Sequence, residues 1–562
     1  MTKNVKVFLM IFGIAIVIFG VVYSGINLTK NFGKSSGEVS AEKAEKQLDK
    51  IVKDISIHTV EPIKGQIADL SSNVKDSLPE ISKYETQVDP DSKNYIEIFS
   101  STEKAGSGTD GWLVDMAKAF NDASITIDGK DVSVQIRGIA SGTATDYILS
   151  EKYLPDAFSP SNELWGEMIK SAGVNISLID KKLAGNVAGI LLSQNKYDEL
   201  IEKYGAVNTK TITEAVSNNE IAMGYTNPFA SSTGLNFLLT TLNTFDSKDL
   251  LSEKAVEGFE KFQNNIPFVS FTTLQMRESA ESGVLDGFVM EYQTYANSPE
   301  INTNYVFTPF GVRHDSPIYA IGNLSSEKTQ ILNAFIDFCK QESNQNLATQ
   351  YGFNGMDEYK SEFEPIDGEI ITRAQKLWKE KKNGTKSICA VFVADISGSM
   401  HGEPLNKLKE SLLSGQKYIG NENRVGLITY SNDVIMDLPI GEFDINQRSY
   451  FTGAVNRLTA SGGTATFDGI AVAIQMIQEE MAKTPDLKPM IFVLSDGETT
   501  VGHSLNEIED IIRAYKIPIY TIGYNANIDA LQSISSINEA TSINADTDDV
   551  IYKLGNLFNA QM

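Results

Sequence analysis

The sequence predicts an α/β protein: a doubly wound, mainly parallel sheet in its C-terminal part and a further α/β region before it. Short apolar runs that indicate buried strands alternate with helical patterns through both parts. Such alternation is typical of sheets covered by helices on both faces. A separate apolar run stands at the N-terminus, ahead of a polar stretch. With 562 residues the chain is long enough for several domains.

The N-terminal apolar run covers seventeen residues, Val7 to Tyr23. A membrane helix needs about 20 apolar residues, whereas the core of a cleaved signal peptide has about 7–15. We interpret residues 7–28 as an uncleaved transmembrane signal anchor and residues 1–6 as a cytoplasmic tail. Cleavage after Ser24 stays open as an alternative. Lysines flank both sides of the run, so these charges alone do not orient the chain in a membrane.

Residues 29–90 are predicted to be a helical spacer between the membrane and the domains. Apolar residues recur every three or four positions from Val60 to Ile81, which indicates a helical stripe. Two prolines, Pro62 and Pro79, interrupt that stripe. They favour a solvated spacer over a dimerising coiled coil.

Composition limits the classes of partner. The formal net charge of −25 and the pI near 4.7 disfavour nucleic-acid binding, because an acidic surface repels phosphate backbones. The two cysteines, Cys339 and Cys389, fall in different predicted domains, which favours two free thiols over a disulfide. The four histidines lack metal-ligand spacing, and no nucleophile elbow or phosphate loop occurs. The sequence therefore predicts no catalytic residues and no enzyme.

Polar side chains follow two predicted buried strands of the C-terminal part. The run 388–394 leads into an Asp-x-Ser-x-Ser motif, and the run 491–494 leads into Ser-Asp-Gly. A Gly-Gly-Thr sequence lies between them in the chain. Carboxylates and hydroxyls are hard oxygen ligands that suit Mg²⁺ or Mn²⁺. The candidate metal ligands are Asp395, Ser397, Ser399, Thr464 and Asp496.

These three motifs, in this order, resemble the von Willebrand factor A (VWA) domain with an intact metal-ion-dependent adhesion site. The resemblance covers residues 385–562 and implies a Rossmann-like sheet with the five candidate residues around one Mg²⁺ or Mn²⁺. In that family the metal keeps an open coordination position. The resemblance thus implies a protein partner that supplies an acidic residue to the metal.

The middle part, residues 91–380, has short strands that end in hydroxyl-rich loops. Their succession resembles the extracellular solute-binding proteins of the two-lobed type II class, which implies a ligand between the lobes. Hydroxyls and helix N-termini suit a small polar or anionic ligand. Taken singly, each of these hydroxyls is also a plausible helix N-cap. The candidate ligand-binding residues are Ser100, Ser101, Ser141, Gly142, Ser159, Ser231 and Ser232.

The sequence thus favours a single-pass, membrane-anchored binding protein with its C-terminal domains extracellular, which engages a protein partner through a divalent metal. One alternative is a receptor for a transported small polar or anionic solute, with the C-terminal domain recruiting accessory proteins. Another is a cytoplasmic-facing module that works beside an ATPase. The absence of an ATPase motif in this sequence weighs against that last interpretation.

Overall fold

The computed structural model describes residues 41–67, 78–266, 268–270, 286–382, 386–497 and 499–524, Met276, and scattered positions between 531 and 561. The predicted cytoplasmic tail and signal anchor lie outside these residues, as do residues 29–40 and 68–77 of the predicted spacer. In the part of the chain that is described, no helix is both long enough and apolar enough to cross a membrane.

The part of the predicted spacer that the structure describes is helical over only one longer stretch. Helix α1 spans Ala41–Asp54, strand β1 spans Ile57–Thr59, and the chain then continues without helix to residue 67. The expected helical stripe from Val60 onward is therefore wrong for residues 60–67. Pro62 lacks the N–H that a helix needs, and neighbouring backbone groups bond to the C-terminal domain instead. We call residues 41–67 the N-terminal strap.

The first lobe of the middle domain is built on a seven-stranded sheet. The strands are β2 (Thr86–Val88), β3 (Asn94–Ser100), β4 (Thr126–Ile127), β5 (Lys130–Gly138), β6 (Ala157–Ser159), β7 (Ile176–Asp180) and β13 (Ile318–Ile321). Their order is β2-β5-β3-β6-β13-β7, and β4 pairs with β5. Leu78 is buried in the core of this domain, and β2 belongs to its sheet, so the domain includes residues before the predicted start at residue 91.

The second lobe has a five-stranded sheet. Its strands are β8 (Val187–Ser193), β9 (Met223–Thr226), β10 (Phe268–Ser270), β11 (Gly287–Glu291) and β12 (Tyr305–Arg313), in the order β10-β9-β11-β8-β12. The helices of both lobes are α2 (Trp112–Asp122), α3 (Ser141–Leu149), α4 (Leu164–Ser171), α5 (Gln194–Tyr204), α6 (Thr209–Ser217), α7 (Ser232–Phe245), α8 (Glu253–Gln263), α9 (Tyr292–Ala296), α10 (Pro299–Asn304), α11 (Ser326–Cys339), α12 (Glu342–Gln350) and α13 (Gly368–Lys381).

The two lobes share one apolar core. Tyr147 and Trp165 of the first lobe, Leu235 of the second and Trp378 of α13 belong to the same cluster of buried residues. Helix α13 packs against α4 of one lobe and α7 of the other. Because this core crosses the lobe boundary, separating the lobes would expose apolar surface to water.

The C-terminal domain has a seven-stranded sheet that includes β1 of the strap. Its other elements are β14 (Ile388–Asp395), β15 (Arg424–Tyr430), β16 (Val434–Glu442), β17 (Lys488–Ser495), β18 (Ile519–Gly523), β19 (Ser542–Asn544), α14 (Glu403–Gly415), α15 (Ile445–Asn456), α16 (Thr466–Lys483) and α17 (Leu505–Tyr515). The strand order is β1-β16-β15-β14-β17-β18-β19, and all these pairings are parallel except that of β15 with β16. Both cysteines of the chain are buried and unbonded, one in α11 and one in β14, which confirms the predicted free thiols.

The strap completes the C-terminal domain at two places. Leu48, Ile51 and Val52 of its helix, and Ile55 just after the helix, are buried in the same apolar cluster as the inner face of α17. Its strand extends the sheet by pairing with β16, from Ile57 opposite Val434 to Thr59 opposite Met436. A paired edge is protected from association with other chains. The strap thus packs as part of the C-terminal domain, although the middle domain separates them in sequence.

Beyond β1, the strap crosses α15 at very short range. The Gly65 N–H donates to the Ser449 carbonyl at 2.7 Å, and the Ser449 hydroxyl donates to the Gly65 carbonyl at 2.8 Å. A Cβ atom at Gly453 would lie 1.9 Å from the Ile63 carbonyl oxygen. Only glycine at position 453 leaves room for the strap at this crossing.

We expect Ile51→Ala to lower the free energy of unfolding by about 2–4 kcal/mol, because it removes buried apolar atoms between strap and domain. Ile445→Ala is the matched control: Ile445 is 66% exposed, and its loss should cost no more than about 0.5 kcal/mol. Urea unfolding of the purified chain measures both. Equal effects of the two variants would show that the strap does not stabilise the domain.

Candidate functional site

The Asp395 carboxylate lies at the carboxyl end of the central strand β14 and is fully buried. Its Oδ1 atom accepts a hydrogen bond from the Ser397 N–H at 2.7 Å, and its Oδ2 atom accepts one from the Ser495 hydroxyl at 2.6 Å. The first bond closes the tight loop after β14. The second ties that loop to the end of β17, the neighbouring strand. The carboxylate is therefore fixed from two sides.

Two serine hydroxyls connect this loop to the second candidate carboxylate. The Ser397 and Ser399 hydroxyl oxygens lie 3.0 Å apart, and the Ser399 hydroxyl donates to Asp496 Oδ1 at 2.9 Å. Strands β14 and β17 are parallel neighbours, so the residues that follow them meet at one edge of the sheet. Four of the five predicted metal ligands thus form one hydrogen-bonded group.

The fifth predicted ligand, Thr464, lies on a loop that is joined to the Asp395 loop by backbone hydrogen bonds. The Gly398 N–H donates to the Gly462 carbonyl at 3.0 Å, and the Ser461 N–H donates to the Ile396 carbonyl at 2.7 Å. Thr464 itself is buried. These bonds bring the third motif to the same edge of the sheet as the other two.

Sequence reasoning missed two residues that position the candidate ligands. Ser495 holds Asp395, and Thr500 binds Thr464: the Thr500 hydroxyl accepts from the Thr464 N–H, and the Thr500 N–H donates to the Thr464 carbonyl, both at 2.9 Å. The signal for Ser495 was present, since a hydroxyl stands directly before Asp496 at the end of a buried strand. The contact of Thr500 with Thr464 depends on the tertiary fold.

Burial makes the negative charge of this group costly. Desolvation raises the pKa of Asp395, and the negative charge of Asp496 raises it further. Desolvation also raises the pKa of Asp496. A bound dication would offset both effects. Two carboxylates with hydroxyl oxygens are a hard donor set that fits Mg²⁺ or Mn²⁺. Within the described residues, no cluster of three or more His, Cys, Asp or Glu side chains offers another metal site.

The hydroxyl-rich loops of the middle domain do meet between the lobes, but they bond to protein. The Ser101 N–H donates to the Ser159 carbonyl at 3.2 Å, and the Gly142 N–H donates to the Ala230 carbonyl at 3.0 Å. The Ser231 side chain caps α7, as the N-cap interpretation expects. All seven candidate residues are buried: Ser100, Ser101, Ser141, Gly142, Ser159, Ser231 and Ser232.

A buried polar network between the lobes was also missed by sequence reasoning. The Lys104 ammonium donates to the Ser101 hydroxyl at 2.7 Å and to the Ser159 carbonyl at 2.8 Å. Glu291 Oε1 lies 2.8 Å from His314 Nδ1. Burial lowers the pKa of Lys104, while the negative charges of Glu103 and Glu291 favour its charged form. Groups of the protein therefore already satisfy these polar atoms.

A further pair of hydroxyls in the same region differs from the rest. The side-chain oxygens of Ser159 and Ser161 are buried, and neither has a hydrogen-bond partner among the described residues. A buried hydroxyl without a partner is costly. A small polar ligand between the lobes would supply the missing bonds.

Comparison with known proteins identifies the two domains. The von Willebrand factor type A domain model matches residues 390–559, and the model of the bacterial extracellular solute-binding proteins matches residues 104–354. The chain therefore combines a VWA domain with a solute-binding-protein-like domain.

Two proteins are similar in sequence to the VWA part of the chain. The chain is 30% identical over 150 residues to the uncharacterized protein sll0103 of Synechocystis sp., covering 26% of this chain and 34% of that protein. It is 30% identical over 149 residues to the inter-alpha-trypsin inhibitor heavy chain H3 of Bos taurus, covering 25% and 16%. This chain therefore spans about a third or less of the length of these two relatives.

Solved structures match each domain separately. A periplasmic thiamin binding protein is 12% identical and covers 51% of this chain and 96% of its own, with a TM-score of 0.39. A von Willebrand factor type A protein from Catenulispora acidiphila is 18% identical and covers 31% of this chain and 42% of its own, with a TM-score of 0.28.

We expect Asp395→Asn to abolish Mg²⁺ binding without destabilising the metal-free protein. Asparagine keeps the shape: its carbonyl oxygen can accept from the Ser397 N–H, and its amide can donate to the Ser495 hydroxyl oxygen. Because the substitution removes a desolvated charge, the variant in EDTA should unfold at the same urea concentration as the wild-type chain or at a higher one.

At a hundredfold excess of Mg²⁺ over Kd, the unchanged chain should gain about 2.7 kcal/mol and the Asp395→Asn variant nothing. Calorimetry with Mg²⁺ measures the binding, and urea unfolding measures the stability. A variant that keeps its Mg²⁺ affinity would remove Asp395 from the metal site.

Proposed function

We propose that this chain is a membrane-anchored, cell-surface binding protein that engages a protein partner through a divalent metal in its VWA domain. The observation that carries this proposal is the hydrogen-bonded group of Asp395, Ser397, Ser399 and Asp496 at the carboxyl edge of the sheet. A VWA domain that mediates protein interaction and a solute-binding-like domain support a binding role. The proposal assigns no catalytic activity to the chain.

In this proposal, Asp395, Ser397, Ser399, Thr464, Asp496 and water hold one Mg²⁺ or Mn²⁺. The metal supplies a positive centre that attracts a carboxylate of the partner, since two protein carboxylates leave a dication incompletely neutralised. The chain as a whole has a net charge of −25, so long-range electrostatics repel an acidic partner. Electrostatic attraction of the partner is then confined to the metal, and binding of the partner depends on the metal.

The apolar run Val7–Tyr23 supports the anchor, and the likeness of the middle domain to extracellular proteins supports an outward orientation. The strap would follow the anchor after residues 29–40. Because the strap packs on the VWA domain, the anchor leads first into that domain and only then into the solute-binding-like domain. Protease added to intact cells should therefore cleave both domains, and protection of both would contradict this orientation.

We expect binding of the partner to be lost in EDTA and restored by Mg²⁺ or Mn²⁺, and to be weakened by Thr464→Ala, which removes one metal-ligand hydroxyl. Surface plasmon resonance with the immobilised full chain measures these effects once a partner is isolated by Mg²⁺-dependent capture and identified. Thr459→Ala is the matched control, because Thr459 is an exposed threonine of the same loop outside the metal group. A partner whose affinity is the same in EDTA and in Mg²⁺ would contradict the proposal.

A second candidate function is reception of a small polar or anionic solute between the lobes. The buried, unpartnered hydroxyls of Ser159 and Ser161 favour it. The shared apolar core opposes it, because this core holds the lobes together without a ligand. The Lys104 ammonium already donates to the Ser101 hydroxyl and the Ser159 carbonyl, so these acceptors are not free for a neutral polar solute. In this alternative the VWA domain recruits accessory proteins.

If a solute binds there, Ser161→Ala should reduce its stabilising effect while leaving the ligand-free protein at least as stable, because the lost hydroxyl has no partner. Thermal unfolding of the full chain with sulfate, phosphate, simple sugars and short peptides tests this. A bound solute at a hundredfold excess over Kd adds about 2.7 kcal/mol. No shift with any of these compounds would favour a middle domain that serves as a scaffold.

A further inference from the structure

A cavity of about 390 Å³ lies beside the candidate metal site. It is formed by the start of α16 and by the loop between β17 and α17, together with two buried residues that follow β18. Gly497 in its lining directly follows Asp496, and Thr466 stands two residues after Thr464. The cavity therefore adjoins two of the loops that carry candidate metal ligands.

The described lining of this cavity combines five apolar side chains with His503 and the hydroxyls of Thr466, Thr499, Thr500 and Ser504. Its described residues include no carboxylate, lysine or arginine. His503 also belongs to the lining, but its Nδ1 atom already contacts Asp468 Oδ1 at 2.7 Å. A charged group entering the cavity would lose hydration and would meet no carboxylate, lysine or arginine among these described residues. The apolar side chains of the lining are Phe467, Val501, Leu505, Leu531 and Ile534.

Hydrogen bonds hold the outer wall of the cavity to the loop that carries Thr464. Thr500 and Val501 donate their N–H groups to the Thr464 carbonyl at 2.9 and 3.3 Å. Further along the wall, the His503 N–H donates to Asp468 Oδ1 at 2.9 Å. The wall is thus formed before any ligand arrives, which lowers the entropic cost of binding.

We propose that this cavity receives an uncharged, mainly apolar side chain of the partner, at a position next to the acidic residue that binds the metal. This inference rests on the proposed function. The metal attracts any accessible carboxylate and therefore selects little by itself. An adjoining preformed apolar cavity selects the residue beside the carboxylate. Burial of apolar surface strengthens binding when that residue is apolar, and loss of hydration weakens binding when it is charged.

The volume fits this occupant. Sites for whole small molecules have about 300–1,000 Å³, so this cavity of about 390 Å³ has ample room for one large side chain. Val501 is 38% exposed, so part of the apolar lining is open to solvent and accessible to a partner. The recognised element is therefore a short exposed segment that contains an acidic residue beside an aromatic or a large aliphatic one.

The test uses peptides displayed on phage, each with a central aspartate and random neighbours, selected on the immobilised full chain in Mg²⁺ and in EDTA. We expect selection in Mg²⁺ to enrich aromatic or large aliphatic residues beside the aspartate. In the best peptide, replacing that neighbour by alanine should weaken binding about tenfold or more. Val501→Gln should make the chain indifferent to this replacement, while Val501→Ile, the matched control, should keep the preference.

The binding of Mn²⁺ alone, followed by electron paramagnetic resonance, tests the metal site independently of the cavity. Val501→Gln should leave Mn²⁺ affinity unchanged, since Val501 bonds to Thr464 through its backbone N–H, which the substitution keeps. Mg²⁺-dependent selection without a preference beside the aspartate, or with a preference for charged neighbours, would overturn the cavity proposal and leave the metal function standing. If no peptide binds in a Mg²⁺-dependent manner, both proposals fail.

Discussion

At the carboxyl end of the central strand, the Asp395 carboxylate is withdrawn from water and held by the Ser397 N–H and the Ser495 hydroxyl. A buried carboxylate is tolerable only where hydrogen bonds or a cation compensate for lost hydration. The Ser495 bond also fixes the end of β17, and with it Asp496. The geometry of the candidate site therefore depends on how this one carboxylate is accommodated.

The sheet itself depends on a segment that lies far from it in sequence. The strap covers the outer edge of β16 and contributes four apolar residues to the core beneath α17. Between the strap and β14 stands the whole solute-binding-like domain. That domain is thus inserted between two parts of one packing unit. In the proposed membrane-anchored arrangement, a force between a bound partner and the anchor would pass through the VWA domain and the strap, without crossing the middle domain.

The middle domain has two lobes, and several contacts hold these lobes together. The core around Trp165 and Trp378 spans both lobes, and Gly142 approaches the second lobe so closely that a Cβ would lie 1.9 Å from the Phe229 carbonyl oxygen. The ammonium of Lys104 binds acceptors that a polar ligand would otherwise contact. These contacts favour a scaffold, whereas the buried, unpartnered Ser161 hydroxyl favours a closed receptor.

The sequence by itself determined the alternation of strands and helices, the identity of both domains and the five candidate metal ligands. It did so because these features are local: a buried strand is an apolar run, and a ligand that follows it appears next in the chain. Only the tertiary structure decided the rest. The strap has the local pattern of a spacer, yet its Gly65 bonds to Ser449, 384 residues further along the chain. The contact of Thr500 with Thr464, the apolar cavity and the Lys104 network likewise join residues that share no local pattern. Their positions follow from which strands become neighbours and from which loops meet at one edge of a sheet.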